Sequence, residues 1–102
     1  MSHMHTKAGS PADCVLSAVV MLRQCRDLAD VQAAYPRVLS YLDFACRRVE
    51  WVARQRGSSP AVVPPLRWLD AVLRDHPALD SAEGEALRAE LRGLAARIRE
   101  RA

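Results

Sequence analysis

The sequence predicts an all-α protein, a small helical bundle of about four helices: two long, one short and one long. Apolar residues recur three or four positions apart in four separate segments, the spacing that lines one face of a helix. Each segment carries a start or stop signal. No β pattern competes, because Ala61-Val62-Val63 is too short for a strand and is flanked by proline.

Bulk composition sets the frame. A chain of 102 residues, 50% hydrophobic and 26% charged, is one domain that buries a core without disulfides or metal. Residues 1–9 are polar and patternless and read as a disordered tail. Met1, Ser2, His3 and Met4 resemble an expression-vector remnant, which leaves 10–102 as a single helical-bundle domain. High Ala content with Lys7 as the only Lys suggests a GC-rich bacterial coding sequence. Cys14, Cys25 and Cys46 are odd in number and fall inside apolar helical patterns, so buried thiols in a reducing compartment are expected. No apolar run approaches the ~18 residues of a membrane span, and the N-terminus has no secretory-signal pattern. The expected location is cytoplasmic.

The first helix is expected to start at Ser10 and Pro11, with Ser as cap, Pro in the first turn and Asp13 at the positive end, and to run to about Leu28. Val15, Ala18, Val19, Leu22 and Cys25 make its core stripe. Leu16, Val20 and Met21 widen the apolar surface nearly all round, as in a helix central to a bundle or shared with a partner. Residues 30–35 read as a joint, with Asp30 capping one short turn, because Tyr35 precedes Pro36 and is biased away from helical geometry.

Pro36 then opens the second helix, which Gly57 stops. At roughly 100° per residue, Val38, Leu42, Ala45, Val49, Val52 and Ala53 form its core stripe. Leu39, Tyr41 and Cys46 lie on the shoulders. Phe44 and Trp51 fall almost opposite the stripe, two turns apart on one line. Residues 58–64 form a Ser- and Pro-rich loop, and Pro64-Pro65 precedes a short third helix over 66–76. Its stripe is Leu66, Leu69, Val72 and Leu73, and Pro77 ends it. Asp80-Ser81-Ala82-Glu83 is a capping-box-like start for the last helix. There Leu87, Leu91, Leu94 and Ile98 make a coiled-coil-like seam, with Gly93 on the outer face.

Residues for catalysis are sparse. His76, at a helix end before Pro77, is expected as a cation at the negative helix terminus rather than a catalytic base. Pairing it with a cysteine would require thiols that lie on apolar faces, where they are inert. Asp70 and Asp75 lack a second pair to complete an acid–base site. Glycine-rich phosphate loops, nucleophile elbows and metal-ligand clusters are absent, and His3 with His5 makes only a short tract in the tail. The expectation is a non-enzyme with no cofactor and no metal.

Charge and aromatic residues point to contact. The segment 36–56 holds Arg37, Arg47, Arg48, Arg54 and Arg56 against Asp43 and Glu50, a net +3 equal to that of the whole chain. Tyr35, Tyr41, Phe44 and Trp51 sit there or beside it, and Arg with aromatic side chains is the composition of a contact surface. Arg37, Phe44, Arg48 and Trp51 are therefore the candidate partner-binding residues; the competing reading is that a second neighbouring helix of the bundle covers the Phe44–Trp51 line. Arg47 and Arg54 are expected on the opposite flank of the line, and Trp68 is expected to stack on the same region. The function this implies is a bacterial protein–protein interaction module of the antitoxin or immunity, secretion-chaperone, effector-targeting or adaptor type. The partner is a protein or a second copy of the chain. The alternative is a small nucleic-acid-binding regulator using the basic second helix. A helix-turn-helix over the last two helices is disfavoured, because the would-be recognition helix opens with Asp80, Glu83 and Glu85, which would face phosphate.

Overall fold

The computed structural model describes residues 10–102. Four helices make the domain: α1 Pro11–Gln24, α2 Leu28–Arg54, α3 Val63–Asp75 and α4 Ala82–Arg101. Short 3-10 turns, Pro60–Val62 and Pro77–Leu79, precede α3 and α4. The small all-α bundle read from the sequence is the observed fold. In it α1 packs mainly on α2 and α3, and α4 packs on the same two helices from the other side. Helices α1 and α4 are thus diagonal. The core is their shared interior, filled by Val15, Val19, Leu22, Val38, Leu42, Leu66, Leu69, Leu73, Leu79, Leu91 and Ile98, all at or near zero exposure.

Ser10 caps α1 as expected, its Oγ accepting from the Asp13 N–H at 3.4 Å, and all five stripe residues of α1 are buried. The helix ends at Gln24, four residues earlier than the pattern suggested. The joint lies at 25–27, and α2 then runs unbroken from Leu28 through Pro36. Asp27 explains this start: its carboxylate accepts from the Asp30 N–H at 2.9 Å, and that of Asp30 accepts from the Arg26 N–H at 2.9 Å, a reciprocal cap. Pro36 deprives the Gln32 carbonyl of its intrahelical donor, but Gln32 and Pro36 are both exposed, so the loss falls on the solvent side of the helix, where it costs least.

Two other boundaries moved for stated reasons. Pro64 and Pro65 lie inside the first turn of α3, where backbone N–H groups have no intrahelical acceptor to lose. At the end of α2, Gly57 donates to the Val52 carbonyl and Arg56 to that of Ala53, both at 3.0 Å. This pair of bonds is a Schellman stop. The left-handed residue in it is Arg56, at φ 63°, and not the glycine. Gly57 gives room, since a Cβ there would crowd Val52 Cγ1 at 2.9 Å.

The stripe of α4 also differs from the expected seam. Gly84, Arg88, Leu91, Ala95 and Ile98 are buried, while Leu87 and Leu94 are half-buried shoulders. In α2, Val52 and Ala53 are half-buried too, and Cys46 joins the core. Ser81 caps α4 by accepting from the Gly84 N–H at 3.1 Å, but with glycine at that position no side chain returns the bond, so the capping box is incomplete. Gly84 is needed because a Cβ there would strike the Leu79 backbone at 2.6 Å. Arg88 enters the core because it closes α3. Its Nε donates to the Leu73 carbonyl at 2.6 Å and its Nη2 to the His76 carbonyl at 3.3 Å, while Asp80 and Glu85 balance the charge.

Candidate interaction face

On α2 the charges separate by side. Asp43 and Glu50 lie toward α4, where Asp43 pairs with Arg47 at 2.8 Å and Glu50 with Arg97 of α4 at 3.4 Å. Tyr35 faces the same way and donates to Glu90, its phenol held well above the usual range by burial first and by that carboxylate second. The other side of α2, toward α1, keeps its positive charge: Arg37 and Arg48 have no ion pair among the described residues. The Arg48 guanidinium instead sits 5.5 Å over the Trp51 ring, within cation–π range.

Phe44 and Trp51 are 42% and 48% exposed, so the domain's own helices leave a large part of each ring in water. Tyr41, expected on the shoulder of the core, is exposed with them. Half of a Trp surface in water is roughly 100 Å², about 2.5 kcal/mol of unrealised burial. Of the flanking arginines, Arg37 and Arg48 border the line on the α1 side. Arg47 is drawn off by Asp43, and Arg54 is exposed on the outer surface of α2.

Trp68 does not stack on that line. It is exposed on α3, which stands diagonally across the core from α2. Leu16 and Val20, on the outer surface of α1, are exposed as well. Among the described residues, the six exposed large hydrophobic ones, Leu16, Val20, Tyr41, Phe44, Trp51 and Trp68, belong to α1, α2 and α3, and none to α4. The sequence signal for Leu16 and Val20 was the excess width of the α1 stripe. Nothing local marked which side of that stripe would stay open.

His76 and Cys25 share a groove between the C-terminal ends of α1 and α3. Their hydrogen bonds go elsewhere. His76 Nδ1 accepts from the Ala78 N–H at 3.2 Å, which leaves Nε2 as the donor to the Leu22 carbonyl at 2.9 Å. Through these two backbone contacts His76 staples the end of α3 to the last turn of α1. The Cys25 thiol donates to the Met21 carbonyl at 3.3 Å. Burial, then Asp30 and Asp27, push it up. Cys14 and Cys46 are pushed up as well, each by burial first. A raised thiol is a poor nucleophile.

Among the described residues, no cluster of three or more His, Cys, Asp or Glu is placed to hold a metal ion, and no helix is long and apolar enough to cross a membrane. His3 and His5, and the proposed vector remnant, lie outside the described residues. Neither a family model, nor a curated protein, nor a solved structure matches this chain.

Proposed function

We propose that the chain is a non-enzymatic protein-binding module of a bacterial protein, acting through Arg37, Phe44, Arg48 and Trp51 of α2. The observation that carries this is the exposure of both rings of the Phe44–Trp51 line beside arginines that no acid of the domain neutralises. Large rings left in water are stabilised by whatever covers them, and Trp and Arg are the residue types that most often dominate interfaces. The Arg48–Trp51 contact holds both side chains in place before binding, which lowers the entropy lost on association. Adaptor, immunity, secretion-chaperone and effector-targeting roles all use such a surface.

The test is the double substitution Phe44→Ser/Trp51→Ser. Helicity by far-UV circular dichroism and the melting temperature are expected to stay close to wild type, since neither ring is in the core. Partner capture, or self-association by analytical ultracentrifugation, is expected to disappear. Unfolding of the double variant, or undiminished capture, defeats the proposal. Submicromolar binding of DNA or RNA at physiological salt would instead favour the nucleic-acid regulator.

A further inference from the structure

The outer surface of α2 carries one continuous seam. Arg37, Tyr41, Phe44, Arg48, Trp51 and Gln55 follow at spacings of four, three, four, three and four, and all six are exposed. That is the period at which one helix meets another along its length, here over about 27 Å. Gln55 lies just past the last residue of α2, but its N–H still bonds the Trp51 carbonyl at 3.2 Å, so the period runs through it. The seam is separate from the core stripe of the same helix, where Val38, Leu42, Ala45 and Val49 are fully buried. It holds three rings, two arginines and an amide, and no acid. Neither Arg37 nor Arg48 has an ion pair among the described residues. The Arg48 guanidinium already lies 5.5 Å from the centre of the Trp51 ring, so part of the seam is held in place.

We infer that this seam is self-complementary and docks on the α2 of a second copy of the chain, the two helices antiparallel about a twofold axis level with the midpoint of Phe44 and Arg48. This rests on the α2 contact surface proposed above and names its partner. Antiparallel pairing about that axis sets Arg48 opposite Phe44, Tyr41 opposite Trp51 and Arg37 opposite Gln55, each of them twice. Every arginine then meets a ring or an amide oxygen of the other copy, both favourable neighbours for a guanidinium. The three rings of each copy gain cover at the same time. Other arrangements fail on charge or on length. Parallel copies stack each residue on itself, so Arg37 meets Arg37 and Arg48 meets Arg48. Sliding the antiparallel pair by seven residues either sets Arg37 opposite Arg48 or leaves Arg37 and Tyr41 outside the overlap. On the flank, Arg47 comes near its own copy across the axis, but Asp43 already neutralises it at 2.8 Å. Arg54 falls opposite Ser40, and both are exposed at the rim. A foreign helix would have to bring acids to Arg37 and Arg48, whereas the seam answers them with its own Gln55 and Phe44. The contact is isologous, so it closes as a dimer and leaves no free end.

Two measurements on the full chain test this. Sedimentation equilibrium is expected to show a dimer in the micromolar range. Phe44→Arg places a cation opposite Arg48 of the other copy, and Phe44→Glu places an anion there. The first should weaken the dimer about tenfold or more relative to the second. Direction is read by crosslinking. Arg37→Cys and Gln55→Cys chains, mixed and mildly oxidised, should form a disulfide-linked pair, while neither variant crosslinks with itself. The native thiols Cys14, Cys25 and Cys46 are buried, so the introduced exposed thiols react first. All substituted positions are exposed, and circular dichroism checks that each variant stays folded. The inference is overturned if Phe44→Glu dissociates the dimer as fully as Phe44→Arg. It is also overturned if each cysteine variant crosslinks with itself, which is the parallel outcome. A chain that stays monomeric throughout the micromolar range and binds an acidic helical peptide, with Phe44→Ser/Trp51→Ser abolishing that binding, overturns the dimer and leaves the α2 surface standing. A monomer that binds an oligonucleotide at physiological salt overturns both, as does a dimer that Phe44→Ser/Trp51→Ser leaves unchanged.

Discussion

Helices α1 and α4 stand diagonally across the same core and bury comparable stripes, yet they treat solvent in opposite ways. The outer surface of α4 is charged, with Glu83, Arg92, Glu100 and Arg101 exposed. Its arginines also tie it to both neighbours, Arg97 to Glu50 of α2 and Arg99 to Asp70 of α3 at 2.5 Å. Helix α1 makes no ion pair among the described residues and turns Leu16 and Val20 outward. One side of the domain is finished in itself. The other is more apolar than its own core requires, and a contact surface is expected there.

Matched truncations test this contrast most severely. Leu91→Ala on α4 opens a cavity in the core and is expected to cost about 2–5 kcal/mol by chemical denaturation. Val20→Ser on α1 removes a side chain that is 43% exposed and should cost well under about 1 kcal/mol. A denaturation midpoint unchanged by the first, or collapsed by the second, would erase the distinction between the two sides.

The α4 side also holds the one buried charge found among the described residues, Arg88. Arg88→Met keeps the stem but leaves the Leu73 and His76 carbonyls at the end of α3 without their donor. A loss of about 2–3 kcal/mol is expected, read from the same denaturation curves. A neutral result would show that water caps α3 equally well. Between the two sides, Arg56→Gly relieves a left-handed residue and is expected to raise stability by about 1 kcal/mol, seen as a higher melting temperature.

The smallest effect is a slope with pH. The three buried thiols and Tyr35 titrate higher in the folded chain than free groups do, because burial favours their neutral forms. Acids with raised values stabilise the fold fully below their ordinary range, and that contribution fades as pH rises. Stability should therefore be level near neutrality and decline above the ordinary thiol value of about 8.5. Replacing Cys14, Cys25 and Cys46 together by Ala should flatten the thiol part of that decline in a melting series. An unchanged slope would place the loss elsewhere.

Much of this protein was legible in the chain because its signals are local. The period of apolar residues gave four helices, and Ser10, Ser81 and Pro77 mark ends that depend on a few neighbouring atoms. The line of Phe44 and Trp51 opposite the core stripe also followed from period, but whether another helix covers it did not. What misled was weighing one local signal against another. Pro36 looked like a boundary, but its lost hydrogen bond faces water and the Asp27–Asp30 cap starts the helix earlier. Arg88 carried no local signal of burial, and it is buried because the end of α3 comes to meet it.

The sequence by itself determined the helical class, most of the core stripes and the aromatic line of α2, since each depends on spacing within one segment. Only the tertiary structure decided which shoulder of each apolar stripe is covered. That choice depends on which two helices flank a third, and long-range packing sets it. Packing drew Asp43 and Glu50 toward α4 and left Arg37 and Arg48 with the open rings. It also brought Val72 and His76 of α3 alongside Arg23 and Cys25 at the end of α1, making a groove from residues that no stretch of the sequence places together.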